Sequence, residues 1–223
     1  MKLLPHVEVE TNVNPDATVI WLHGLGADGH DFEPIVRQLG LHKSAAVRFI
    51  FPHAPSMPVT INNGYVMPAW YDILEMSIER EVDEHQLRIS ASAIVGFINH
   101  EIERGIASER IVVAGFSQGG AVAFEVALSF PNRLGGLLAL STYFATKDSV
   151  NFHPNNQDLP IEIHHGDFDS IVPIVLADTS FELLSSKGYS TKLNTYPMEH
   201  SVCPQQIADI SLWLVNILAL EAA

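Results

Sequence analysis

The sequence predicts an α/β fold in which a mostly parallel central sheet carries helices on both faces. Two patterns point to it: apolar, β-branched runs recur at six places along the chain, and helical patterns separate most of them. Size and composition agree. With 223 residues, 47% hydrophobic and 17% charged, the chain suits one large domain with a sizeable core, and no repeat, low-complexity tract or linker divides 1–223.

The elements follow in order. Residues 7–10 alternate Val and Glu, as an edge strand with one solvated face does, and are expected to pair antiparallel. Strands are expected at 18–22, 47–51, 111–114, 136–140, 161–165 and 192–196. Helices are expected at 32–39, 85–104, 118–130, 173–187 and 204–220; the last two open with proline, which suits a first helical turn, and Gly105 and Gly188 supply stops. The segment 53–84 fits no element well. It mixes Pro55, Pro58, Gly64 and Pro68 with Trp70, Tyr71, Ile73, Leu74 and Met76, and a long apolar-rich loop is more often functional than idle.

A formal net charge of −14, with no cluster of Lys or Arg to override it locally, argues against nucleic acid and against anionic lipid surfaces. Cys203 is the sole cysteine, which excludes an internal disulfide and a paired-cysteine metal or redox site and fits a reducing, cytoplasmic compartment. The opening Met-Lys-Leu-Leu is interrupted by Pro5, His6 and Glu8 before a signal-peptide core forms. The longest apolar stretch, 207–220, contains Asp209 and Asn216 and is too short to span a bilayer, so no stable membrane insertion is expected.

The sharpest feature is Gly115-Phe116-Ser117-Gln118-Gly119, lying between the strand at 111–114 and a helix-forming stretch. A serine on such a tight strand-to-helix turn is pushed out of the sheet edge toward solvent, the usual setting of a nucleophile. A serine hydroxyl needs a base within reach and an acid that holds the base in the right tautomer. His200 follows the strand at 192–196, and Asp169 follows the strand at 161–165. The order Ser117, Asp169, His200 is that of a Ser/Asp/His set on an α/β-hydrolase sheet, where residues beyond the carboxyl ends of parallel strands share one edge. Asp167 competes for the acid role; the longer offset of Asp169 from Gly166 favours Asp169.

Attack on a carbonyl also requires donors for the resulting oxyanion. The N–H of Gln118 opens the helix after Ser117, and the second donor is expected from His23-Gly24-Leu25-Gly26, with Leu25 N–H as the candidate and Gly24 allowing substrate to approach the backbone. His164 and His165 read as packing residues, because neighbours on a strand point to opposite faces and no metal-ligand partner has suitable spacing, so no metal site is expected. Cys203 reads as a small buried hydrophobe.

Taken together, His23-Gly24-Leu25-Gly26, Pro68-Ala69-Trp70-Tyr71-Asp72-Ile73, the Ser117 pentapeptide, Leu140-Ser141, His165-Gly166-Asp167-x-Asp169-x-x-Val172-Pro173 and His200-Ser201 resemble the carboxylesterase and acyl-protein thioesterase family over nearly the whole chain. The resemblance implies an α/β-hydrolase fold, no cofactor, and hydrolysis of carboxylic esters or acyl thioesters. It implies the same roles for Ser117, His200, Asp169, Leu25 and Gln118, and an acyl groove built from Trp70, Ile73, Leu74, Tyr143 and Ile171. Tyr143 stands where relatives often carry tryptophan. The leading expectation is a serine esterase for short- to medium-chain acyl esters. Its alternatives are an acyl-protein thioesterase or lysophospholipase, whose substrates are acylated proteins or lipids, and a silent binding protein on the same fold. The loop at 53–84 is expected to serve as lid, lipid contact or homodimer interface.

Overall fold

The computed structural model describes residues 2–75 and 80–221. Met76 and Glu79, which contribute to the apolar and acidic character of the 53–84 segment, lie outside the described residues.

Seven strands form the central sheet: β1 His6–Glu10, β2 Ala17–Leu22, β3 Val47–Pro52, and, later in the chain, β8 Ile111–Phe116, β9 Gly136–Leu140, β10 Ile161–Gly166 and β11 Thr191–Tyr196. Their order across the sheet is β1-β3-β2-β8-β9-β10-β11, with β1 antiparallel to β3 and every other pair parallel. The central strands are buried along their length because helices cover both faces, which explains their unbroken apolar runs. On β1 the alternation survives: Glu8 and Glu10 reach Arg48, whose guanidinium also meets the fully buried Glu101 at 2.6 Å.

The helices are α1 Ile35–Gln38, α2 Glu84–Glu103, α3 Gln118–Ser129, α4 Ile174–Ser186 and α5 Pro204–Ile217. Asp83 caps α2 by accepting from Gln86 N–H at 2.9 Å. The expected helix at 32–39 contracts to one turn: the Pro34 ring disfavours helical backbone at the residue before it, and residues 29–34 form turns instead. Helices α2 and α3 pack on the face bearing Ile20, Leu22, Val113 and Leu137; α1 and α5 cover the face bearing Val19, Trp21, Ala114 and Leu138.

In its described residues the segment at 53–84 is not an irregular loop. It folds into two small antiparallel ribbons, β4 Ser56–Val59 with β5 Tyr65–Pro68, and β6 Ile73–Glu75 with β7 Glu81–Val82. The prolines that obscure these strands sit at ribbon positions where an edge strand needs no ladder donor. Between the ribbons, Ala69, Trp70 and Tyr71 plug into the core.

The chain runs from β2 outward to β3, then returns to place β8 on the other side of β2. A crevice therefore forms beyond the carboxyl ends of β2 and β8, where open α/β sheets bind ligands.

Candidate active site

Ser117 follows β8 at that crevice, with φ 53° and ψ −119°. A β-carbon places such a backbone in a sparsely populated region, at about 1–3 kcal/mol, and the surroundings must hold it there. They do so by close packing: a methyl group on Gly119 would stand 2.5 Å from the carbonyl oxygen of His23 and 2.6 Å from that of Leu22. The glycine thus lets α3 start directly against the end of β2. Ser117 N–H donates to Leu140 O at 2.9 Å, and Thr142 Oγ1 donates to Ser117 O at 2.6 Å.

Three residues from three strand ends meet here. His200 Nε2 lies 3.0 Å from Ser117 Oγ, and His200 Nδ1 lies 2.7 Å from Asp169 Oδ2. The other oxygen of Asp169 accepts from the N–H groups of Ile171 at 2.9 Å and Val172 at 2.8 Å. Burial alone would raise the Asp169 pKa, but the hydrogen bonds from His200 and Val172 outweigh it and hold the carboxyl below the ordinary carboxylate range. An ionised Asp169 keeps the proton on His200 Nδ1 and leaves Nε2 free to accept from a hydroxyl. Asp167, its competitor in sequence, is exposed, and its N–H is tied to Tyr196 O at 2.8 Å. Gly166 makes the convergence possible, since a β-carbon there would collide with the carbonyl oxygens of Met198 and Glu199 and force the two loops apart.

Leu25 and Gln118, the expected oxyanion donors, stand at the same crevice. Among the described residues neither Leu25 N–H nor Gln118 N–H has a protein acceptor, and both residues line the cavity that Ser117 and His200 line. Gly26 N–H donates to Pro68 O at 2.8 Å, which anchors the glycine turn. His23 braces it further: Nδ1–H donates to Gly24 O at 2.7 Å while Nε2 accepts from Ala54 N–H at 3.1 Å. Burial lowers the His23 pKa, consistent with this neutral, two-sided role.

The cavity has a volume of about 400 Å³. Of the expected groove residues, Gly24, Ile73, Tyr143 and Ile171 line it. Trp70 and Leu74 do not. Trp70 is fully buried, its indole N–H donating to His23 O at 2.9 Å, so it supports the glycine turn from beneath; Leu74 is exposed on its ribbon, outside the cavity. Seven wall residues were given no site role from sequence: Ala27, Asp31, Ile61, Asn62, Arg80, Phe116 and Val172. The Arg80 guanidinium lies 5.0 Å above the Tyr143 ring and donates to Ile171 O, while Tyr143 and Tyr71 share a hydrogen bond of 2.9 Å between their hydroxyls. The Tyr143 ring and the Arg80 guanidinium therefore form one polar stretch of the wall, backed by the buried Tyr71. No local pattern around Arg80 or Asp31 marks them.

The two histidines read as packing residues do pack. His165 Nε2–H donates to Val172 O at 2.7 Å, bracing the Asp169 loop, and burial lowers its pKa. His164 sits among Glu162, Asn194 and Tyr196. Among the described residues no group of His, Cys, Asp and Glu could hold a metal ion, and no helix is long and apolar enough to cross a membrane.

Residues 5–218 match the model of a family described as phospholipase/carboxylesterase. The chain is similar to acyl-protein thioesterase 1 of Neurospora crassa, 38% identical over 91% of this chain and 87% of that one, and to acyl-protein thioesterase 1 of Gibberella zeae, 37% identical over 89% of each. Among solved structures, Arabidopsis thaliana SOBER1 superposes with a TM-score of 0.84 at 29% identity, covering 91% of this chain and 99% of that one. Zea mays acyl-protein thioesterase 2 superposes at 0.83 and 24% identity, covering 96% and 99%, a likeness of fold.

Proposed function

The chain belongs to the phospholipase/carboxylesterase family, a family of α/β-fold hydrolases, and from that premise we propose that it hydrolyses acyl esters and thioesters through an acyl-Ser117 intermediate. The observation that carries the reading is the pair of distances at His200, 3.0 Å to Ser117 Oγ and 2.7 Å to Asp169.

In the proposed reaction His200 Nε2 takes the hydroxyl proton as Ser117 Oγ attacks the acyl carbonyl carbon. The tetrahedral oxyanion accepts from the N–H groups of Leu25 and Gln118. Collapse breaks the bond to the leaving oxygen or sulfur, which receives the proton from His200. Water then attacks the acyl-enzyme, giving its proton to His200, and a second collapse returns that proton to Ser117 and releases the carboxylic acid. Asp169 stays ionised throughout and orients the imidazole.

For the substrate, the names of the curated relatives favour the thioester of an acylated protein over a simple oxygen ester. A second reading, short- to medium-chain carboxylic esters, is supported by the modest cavity and the polar stretch of wall at Arg80 and Tyr143, which suits a long alkyl chain poorly. One domain spanning 1–223, acting without a cofactor in the cytoplasm, completes the proposal. The deciding experiment is hydrolysis of matched oxygen esters and thioesters of increasing chain length by wild-type protein and Ser117→Ala. A Ser117→Ala protein with parental turnover would overturn the assignment; the chain-length optimum and the ester-to-thioester ratio choose between the two substrates.

A further inference from the structure

His200 and Phe116 belong to the walls of two cavities. The first also holds Ser117, Leu25 and Gln118. The second, about 320 Å³, holds none of those three; its walls include Phe32, Ile35 and Ile207, with Ser201 beside His200. Asp31 lines both.

On the proposed chemistry, on which this inference rests, the acyl carbonyl must face the free amides, and the leaving atom must face His200, which protonates it. The cavity that touches His200 but neither amide is therefore the place for the rest of the leaving group. Apart from His200, Asp31 is the only ionisable side chain among the described residues of its walls. Among the described residues the Asp31 carboxylate has no hydrogen bond or ion pair; only its backbone N–H is engaged, by Asp28 O at 3.1 Å. Around it, Asp28 and Glu33 add negative charge, and His30 is already paired with Glu33 at 2.8 Å. The charge on the other wall of the first cavity is of opposite sign, the Arg80 guanidinium on the Tyr143 ring.

We propose that the second cavity receives the leaving group and that Asp31 selects leaving alcohols or thiols that carry a positive charge. At the edge of these apolar walls a cation meets the solvent-exposed Asp31 carboxylate, an attraction that water and salt screen. The net charge of −14 draws cationic substrates in from solution.

The test compares esters and thioesters that share one acyl group and differ by one charge: butyrylcholine against 3,3-dimethylbutyl butyrate, their sulfur counterparts, and S-butyryl-cysteine peptides flanked by Lys or by Gln. Wild-type protein is expected to favour the cationic member about fivefold in kcat/KM at low salt, with the ratio falling as salt rises. Asp31→Asn brings the ratio near one, whereas Asp158→Asn, the same change of net charge at an exposed turn, keeps it. Discrimination among the small esters assigns the cation to an amino alcohol or thiol, and discrimination confined to the peptides assigns it to a peptide side chain. A wild-type ratio near one in every pair, or an equal loss in Asp158→Asn, overturns the proposal. No turnover of any member overturns the hydrolase reading itself, and this inference with it.

Discussion

The side-chain amide of Gln118 spans the backbone at Trp70: its Oε1 accepts from Trp70 N–H at 2.8 Å, and its Nε2 donates to Tyr71 O at 2.6 Å. The residue that offers a backbone N–H beside Ser117 thus also fastens the buried segment between the two ribbons. Trp70 in turn donates to His23 O, so the two amides proposed to hold the oxyanion rest on one connected set of buried bonds.

Gln118→Ala keeps the N–H but strands a buried N–H and a buried carbonyl. The expected loss is about 2–4 kcal/mol of stability, from two unsatisfied groups at about 1–3 kcal/mol each, lowered by partial relaxation. A fall in kcat of tenfold or more should accompany it as the two amides lose their mutual placement. Thermal unfolding together with steady-state kinetics checks this; an unchanged kcat in a destabilised protein would confine Gln118 to a folding role.

Asp169→Asn leaves the loop bonds to Ile171 and Val172 available but no longer enforces the Nδ1–H tautomer of His200. A loss of about 10⁴ in kcat is expected, comparable to the effect of the same change in the triad of a serine protease. Asp167→Asn is expected to change kcat less than twofold. Labelling by a fluorophosphonate follows the same order, and similar effects of the two substitutions would reopen the choice between the two acids.

Tyr143→Ala removes one wall of the acyl cavity together with the ring beneath Arg80. The chain-length optimum should move to longer acyl groups, with a stability loss of about 3–5 kcal/mol as for other large-to-small changes at buried aromatic positions. Tyr143→Phe keeps the ring and loses only the bond to Tyr71, so it should leave the optimum in place at about 1–3 kcal/mol. An identical chain-length profile in Tyr143→Ala would remove Tyr143 from the acyl site.

Burial holds the pKa values of His23 and His165 below the ordinary value for histidine. Below about pH 6.5 the unfolded chain therefore binds protons that the folded chain does not, and stability rises with pH in that window. The stabilisation is complete above about pH 6.5 and is lost as pH falls toward the lowered folded values, at most about 1.4 kcal/mol per pH unit for each histidine. The exposed pair of His30 and Glu33 works in the opposite direction but is screened by solvent. The thermal midpoint should thus fall between pH 7.5 and 5.5, and a flat profile would contradict the neutral bracing roles of both histidines.

Much of the fold was legible because buried parallel strands and amphipathic helices write their periods into sequence. All seven sheet strands fall within a residue or two of their expected positions, and the Val-Glu alternation of β1 foretold its antiparallel edge. The ribbons at 53–84 were not legible, because strands of two to four residues with prolines carry no period. Helix α1 was overdrawn for the reason that Pro34 supplies.

The sequence by itself determined that Ser117 sits on a strand-to-helix turn and that His200 and an acid follow later strands, since chain order and local backbone demands are properties of the chain. Only the tertiary structure decided between Asp167 and Asp169, put Trp70 under the glycine turn instead of in the groove, and brought Arg80 and Asp31 to the cavity. Those outcomes depend on which side chains meet across elements far apart in sequence, and such meetings are set by packing.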